Sequence, residues 1–218
     1  MRVAIFTRPP IPGRCKTRLA RAIGDARAAE LHAAFVIDTI THVRARDGLR
    51  PELHVTEDHP FFAPLCTRFD LPPPIVQVEG DLGARMSHAL DLAPGPACVI
   101  GTDAPTLPHA LIGAASIALG ERDFVCTPAS DGGYVLIGSA SRAPSTFLAD
   151  PRIRWSSRHA LADTMRAAPS PFALTAPWYD VDEPADLALL TTHLTLDPRA
   201  APATADLLLG QRRRTSTF

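Results

Sequence analysis

Lys16 and Arg18 stand two residues apart at the end of a stiff segment, residues 7–19, that reads TRPPIPGRCKTRL. Pro9, Pro10 and Pro12 exclude helix and sheet there, Gly13 releases the backbone, and Lys16-Thr17-Arg18 arrive where a new helix can begin. Directly before them Val3-Ala4-Ile5-Phe6 is an apolar run that reads as a buried strand. A strand, a rigid loop and a cationic helix start together hold phosphate, because backbone N–H groups supply directed donors and the two side chains supply charge. The chain has 22 basic Lys and Arg residues, and Lys16 is its only lysine. It puts a compact point charge on a flexible stem where the others carry a planar fork. The plain structural alternative is a pair of solvated charges on a surface loop.

Asp103, Asp131, Asp180 and Asp182 fall at the ends of apolar runs or in turns. Moving a phosphoryl-linked group calls for a divalent cation, Mg²⁺ or Mn²⁺, which takes one or two carboxylates and leaves its other positions to water and phosphate oxygens. Asp103 with one of Asp180 or Asp182 suffices. Each also has a structural reading: Asp103 as a cap of the next helix, Asp131 as a favoured turn residue, Asp182 as an N-cap. Residues 80–83, Gly80-Asp81-Leu82-Gly83, with Arg85, present N–H groups and a guanidinium to a phosphate or base, or form a simple helix start. Thr7 and Thr102, at strand ends, bond a ligand or only their own backbone. The eight histidines are scattered without metal-ligand spacing, and no P-loop, G-x-S-x-G elbow or Rossmann fingerprint occurs.

Positioning these groups requires an alternating α/β chain. Residues 20–46 carry Leu31, Phe35, Ile37, Ile40 and Val43 on one helical face, with Asp25 as the expected N-cap after Gly24. Strands are expected at 53–56 and 75–78, giving a β-α-β-β progression, and a helix from the 80–83 turn through 84–90. Ala97-Cys98-Val99-Ile100 reads as a central strand covered on both faces, so Asp103 falls at its carboxyl end, where open α/β sheets place ligands. A helix over 108–119 and a strand over 124–126 repeat the unit. Asp131-Gly132-Gly133 then reads as a tight reversal into an antiparallel strand. A helix over 158–167, a strand over 171–175 and a helix over 185–194 follow, the last with Asp182 as N-cap and Pro184 in its first turn. Residues 197–218 are expected as a partly mobile appendage to a domain of residues 1–196. The triple arginine 212–214 is a weak nucleic-acid signal, more often a solvated tail.

At 218 residues, 46% hydrophobic and 21% charged, the chain suits one medium-sized domain with its own core. A net charge of −1 gives no field for nucleic acid or an anionic membrane. The four cysteines form no C-x-x-C pair, so they read as reduced thiols of a cytoplasmic protein. No apolar run spans a bilayer, and with a strand at the first residues no signal peptide is expected.

Six segments taken together resemble a known family: residues 6–19, 79–86 (EGDLGARM), 100–107 (IGTDAPTL), 128–138 (PASDGGYVLIG), Trp155-Ser156 and 180–187 (DVDEPADL). They are similar to the bacterial GT-A-fold, glycosyltransferase-like proteins related to the guanylyltransferases of 2-phospho-lactate and of the molybdenum cofactor. The resemblance runs in order over residues 1–194. It implies a nucleotide-diphosphosugar-transferase fold, a three-layer sandwich on a mostly parallel sheet with one antiparallel strand, using Mg²⁺ or Mn²⁺. It also implies Asp103 and Asp182 as metal ligands, Lys16 and Arg18 beside the phosphates, and Asp131-Gly132-Gly133 on the acceptor side. Arg8 stands where many relatives have lysine. The expected nucleotide contacts are Thr7, Arg8, Gly13, Lys16, Arg18, Gly80, Asp81, Arg85 and Thr102.

Three functions follow as expectations, since one fold hosts several chemistries. The first is a nucleotidyltransferase moving an NMP from an NTP to a small phosphorylated acceptor, with Lys16, Arg18, Asp103 and Asp131 as its catalytic set. The second is a glycosyltransferase with a nucleotide-sugar donor and Asp131 as base. The third is a nucleotide-binding protein without turnover.

Overall fold

The computed structural model describes residues 1–92 and 94–215, with side chains through residue 210. The sheet is built around β1 (Arg2–Thr7). Its Val3 and Ile5 enter one core and Ala4 the other, so both faces of the strand are covered. β1 pairs in parallel with β2 (Arg50–Val55) on one side and with β4 (Ala97–Gly101) on the other. The two-residue β3 (Ile75–Val76) is the edge beyond β2. On the other half, β6 (Tyr134–Ser139) runs antiparallel to both its neighbours, β4 and β5 (Phe124–Pro128), and β7 (Phe172–Leu174) closes the order β3-β2-β1-β4-β6-β5-β7. This is the mostly parallel sheet with one antiparallel strand.

Three helical groups complete the layers. α2 (Asp25–Arg44), α3 (Phe62–Phe69) and α5 (His109–Ala118) cover one face through Val36, Ile40, Phe62, Leu65 and Ile112. α4 (Leu82–Asp91) covers the other through Met86 and Leu90, beside a 3₁₀ turn at Ser145–Ala149 that carries Leu148 and against which α6 (Ala160–Ala167) packs. α1 (Thr17–Ile23), α7 (Pro184–Leu196) and α8 (Pro202–Thr215) gather on a second side of α2, around Leu19, Leu31, Phe35, Leu190 and Leu194. Among the described residues no helix is long and apolar enough to cross a membrane.

Several local expectations change. The helical stretch after the loop is two helices, and Gly24, not Asp25, is the N-cap of the second; its φ of 84° makes the break between them. The progression after α2 is β-α-β, because α3 intervenes between β2 and β3. Its apolar face, Phe62, Leu65, Cys66 and Phe69, has helical spacing, and Pro64 is tolerated in the first turn. Asp182 does not cap α7: Glu183 is the N-cap, and the Asp186 side chain accepts from the Glu183 backbone to complete a capping box.

The stretch 197–210, expected to begin an appendage, holds a 3₁₀ turn at Pro198–Ala200 and the start of α8, and it is packed here. Ala201 and Ala205 are buried against Leu31 and Phe35. The side chain of Asp38, 1% exposed on α2, accepts from Ala203 N (2.9 Å), Thr204 N (2.8 Å) and Thr204 Oγ1 (2.7 Å), fixing the start of α8. The arginine run 212–214 lies outside the described side chains.

Candidate active site

Phe6 and Gly101 are register partners at the carboxyl ends of the parallel strands β1 and β4, with Thr7 one residue further along β1. β6, running the other way, starts at the same sheet edge with Tyr134. A cleft of about 500 Å³ opens there, lined by residues of these strand ends, of the 8–18 loop, of α4 and by Asp182.

The loop reaches the cleft through tight turns. Ile11 N donates to Pro9 O (2.8 Å) and Arg14 N to Ile11 O (3.0 Å), while Gly13 takes a φ of 77°. Lys16, the N-cap of α1, has a left-handed backbone (φ 47°, ψ 42°), an uncommon conformation for a residue with a side chain. That backbone sends its side chain inward, where it is 3% exposed. Lys16 Nζ donates to Val181 O (2.5 Å) and Asp182 Oδ1 (3.0 Å), and pairs with Asp103 Oδ1 (2.6 Å). The Phe35 ring lies 5.3 Å from the ammonium.

The carboxylates are set by backbone bonds nearby. Val181 N donates to Asp103 O at 2.8 Å, and Asp182 N to Asp186 Oδ2 at 3.0 Å, which leaves the Asp182 side chain to face Lys16. Asp103 and Asp182 are 48% and 40% exposed, so they face the cleft as well as the lysine. Burial pulls the Lys16 ammonium down, but Asp103 and Asp182 outweigh it and its pKa rises above the usual value. Burial likewise pushes the Asp103 carboxyl up, and Lys16 more than reverses this, holding it below the usual carboxylate range. One positive charge between two negative ones leaves a net negative trio.

Asp180 stands outside the cleft wall. Burial, then the nearby Asp131, Asp182 and Asp103 charges, push its pKa up to about 6.

The guanidinium groups sit on the rim. Arg8 is exposed and donates to Arg14 O (3.3 Å). Arg18 lines the cleft and is exposed, and its side chain makes no hydrogen bond or ion pair with any described residue. Arg85 donates from Nε to Gly80 O (3.1 Å) and from Nη1 to Gln77 Oε1 (3.4 Å). Thr7 and Thr102 are buried in the cleft wall, and Thr7 Oγ1 donates to Arg8 O (3.3 Å).

Four expected residues do not line the cleft. Asp81 is the N-cap of α4, accepting from Ala84 N at 2.8 Å, because the helix start needs that acceptor. Gly80 supplies a positive φ of 121° ahead of it. Gly13 shapes its loop from outside the wall. Asp131 closes the β5–β6 turn, accepting from Gly133 N at 2.7 Å, and that turn is docked on α6 through Leu161 N to Gly132 O (3.0 Å).

Other lining residues escaped the sequence reading. His32, on α2, is 4% exposed and has its Nε2 3.0 Å from Arg8 O; since the carbonyl only accepts, Nε2 carries the proton. Burial lowers its pKa, consistent with that neutral form. Gln77 donates from Nε2 to His54 O (2.8 Å), which fixes its amide. Tyr134 closes the apolar end beside Ile137 and Val99. Of these only His32 left a trace, a polar residue among the buried positions of α2, with nothing to tie it to the loop.

The donors fit a hard divalent cation: two carboxylate oxygens already converge on one cationic centre within 3.0 Å. Among the described residues no three His, Cys, Asp or Glu side chains are grouped to hold a metal, so an ion held by Asp103 and Asp182 would need its remaining ligands from phosphate or water.

Fold and cleft define a chain of the transferase class. A crystal structure named "putative nucleotide-diphospho-sugar transferase", from Desulfovibrio desulfuricans G20, matches over 97% of this chain and 95% of its own, with 28% identity and a TM-score of 0.84. The 4-diphosphocytidyl-2C-methyl-D-erythritol synthase of Anaerococcus prevotii DSM 20548 matches over 89% and 96%, at 10% identity and a TM-score of 0.58. A cytidylyltransferase from Leptospira borgpetersenii serovar Hardjo-bovis matches over 98% and 94%, at 11% identity and 0.57. The last two likenesses concern the fold alone. The chain belongs to the family described as "Uncharacterized protein conserved in bacteria (DUF2064)", which its residues 39–157 match. No curated protein sequence matches it.

Proposed function

We propose that the chain is a metal-dependent nucleotidyltransferase that moves an NMP from an NTP to a small phosphorylated acceptor. The observation that carries this reading is the convergence of Lys16, Asp103 and Asp182, from three distant parts of the chain, beneath a rim of Arg8, Arg18 and Arg85. A phosphate oxygen of the acceptor attacks the α-phosphorus. The bond from that phosphorus to the α–β bridging oxygen breaks, and pyrophosphate leaves with the bonding pair. The acceptor is already an anion, so no side chain need take a proton. Arg18, whose guanidinium has no partner among the described residues, and Arg8 hold the β- and γ-phosphates and the departing pyrophosphate, charge that preorganised cations stabilise strongly. Arg85, held by Gly80 and Gln77, stands on the side left for the nucleoside. Asp103 and Asp182 would hold Mg²⁺ or Mn²⁺, which when bound neutralises charge on the reacting phosphates.

A second reading, glycosyl transfer from a nucleotide sugar, is favoured by the name of the Desulfovibrio protein. Against it, the expected base, Asp131, is committed to a turn outside the cleft wall. Pyrophosphate release, measured with each NTP, GTP first, against a panel of phosphorylated acids and sugars, separates the two. The first reading expects release that depends on one acceptor and one NTP. Sugar-nucleotide turnover with no pyrophosphate from any NTP overturns it.

A further inference from the structure

We infer that the Lys16 ammonium and a divalent cation compete for the Asp103–Asp182 pair, so that the cleft takes up its metal only together with phosphates that draw Lys16 away. The identity of those phosphates rests on the nucleotidyltransferase reading. The competition concerns three side chains and stands apart from it.

An ammonium has three N–H donors and no acceptor. Two are used on Val181 O (2.5 Å) and Asp182 Oδ1 (3.0 Å), and the same nitrogen is ion-paired with Asp103 Oδ1 at 2.6 Å. The Phe35 ring lies 5.3 Å from the ammonium, and the Lys16 side chain is 3% exposed. Lys16 therefore cannot bond a phosphate without giving up one of these partners. A metal at the same two oxygens would stand beside the ammonium, and two cations sharing two half-exposed carboxylates repel. Polyphosphate removes the conflict: it brings negative charge that takes Lys16, and the acids pass to the metal. A lysine suits the exchange better than an arginine, because its flexible stem and point charge turn without breaking a planar fork. The left-handed backbone at Lys16 fixes the root of that stem at the start of α1. The trio thus links two ligands: each lowers the cost of admitting the other.

Mn²⁺ alone, with the free ion followed by electron paramagnetic resonance, tests this on the full chain without nucleotide. Lys16→Met should bind Mn²⁺ at least tenfold more tightly than the native protein, and adding Asp103→Asn should remove the gain. Equal affinity in the native protein and Lys16→Met, or binding in neither, overturns the proposal. Should Lys16→Met fail to fold, the single lysine of the chain still decides, since ¹³C-lysine labelling gives one ε-methylene signal. That signal should hold its position with Mg²⁺ alone and shift when Mg²⁺ and inorganic tripolyphosphate are added together. An equal shift in both cases, or none in either, overturns it. Failure of the pyrophosphate assay with these results standing would reject the reaction and keep the linkage.

Discussion

Val181 N donates to the backbone carbonyl of Asp103 at 2.8 Å, joining the segment before α7 to the end of β4 across 78 positions of sequence. This bond, which involves neither reactive side chain, ties together the two segments whose Asp103 and Asp182 carboxylates both approach Lys16 Nζ. The same residue offers its own carbonyl to Lys16 Nζ. The charged trio is thus framed by backbone, and side-chain substitutions can change its chemistry without moving its frame.

Asp103→Asn should accordingly keep the fold and lose about 10²-fold or more in turnover, as losing a group aimed at transition-state charge does. Melting temperature and kcat, measured together, check it. A large fall in melting temperature with ligand binding intact would make Asp103 structural.

The ion pair also predicts a pH window. Lys16 has a raised pKa, so its contribution is complete below its ordinary value of 10.5 and is lost as pH rises through the raised one. Asp103 has a lowered pKa, so its contribution is complete above its ordinary 3.8 and is lost as pH falls through the lowered one. Lys16→Met should cost about 1–3 kcal/mol at neutral pH, below the figure for a fully buried pair because both carboxylates reach solvent. Urea denaturation of the two proteins should show that difference narrowing below pH 3.8 and above 10.5. A difference constant with pH would mean that packing alone was lost.

Asp38→Ala removes the only acceptor given to Ala203 N and to both donors of Thr204 among the described residues. Three donors lose their partner at a buried helix start, which should cost about 2–4 kcal/mol. Proteolytic cleavage near residues 197–201 should quicken well before global unfolding. We propose on this ground that a chain ending at residue 196 uncovers Leu31 and Phe35 and is markedly less stable than the full chain.

How much could be read beforehand depended on whether the signal was local. The apolar runs of β1 and β4 and the Asp131-Gly132-Gly133 reversal are local, and they located the sheet and its antiparallel strand. Lys16 and Asp103 could be brought to one edge because the loop of the first and the turn of the second each leave an apolar strand of a parallel sheet, while the choice of Asp182 over Asp180 came from the family resemblance alone. The bond from Lys16 to the backbone was not legible, since the carbonyl of Val181 carries no mark in the sequence. α3 was missed for its shortness and its internal proline. Asp81 and Asp182 illustrate the limit of capping rules. Both are good N-cap residues; the first caps, while the second yields to Glu183 because Asp186 three positions on completes the box.

Asp131 separates the two reactions. If the acceptor attacks as a phosphate anion, no base is needed, and Asp131→Ala should leave kcat within about threefold. Its cost should be to stability, about 0.5–1 kcal/mol for the bond to Gly133 N. If a sugar hydroxyl is the nucleophile and Asp131 its base, the same change should lower kcat by about 10²–10⁴-fold and remove the acid limb of the pH–rate profile. Gly132→Ala serves as the control for the turn itself. A φ of 88° and a new Cβ against the backbone of Arg158 should shift the hairpin and destabilise by about 1–3 kcal/mol, whichever reaction runs. Activity lost with Gly132→Ala but kept with Asp131→Ala would mean that the turn's shape, not its carboxylate, serves the acceptor.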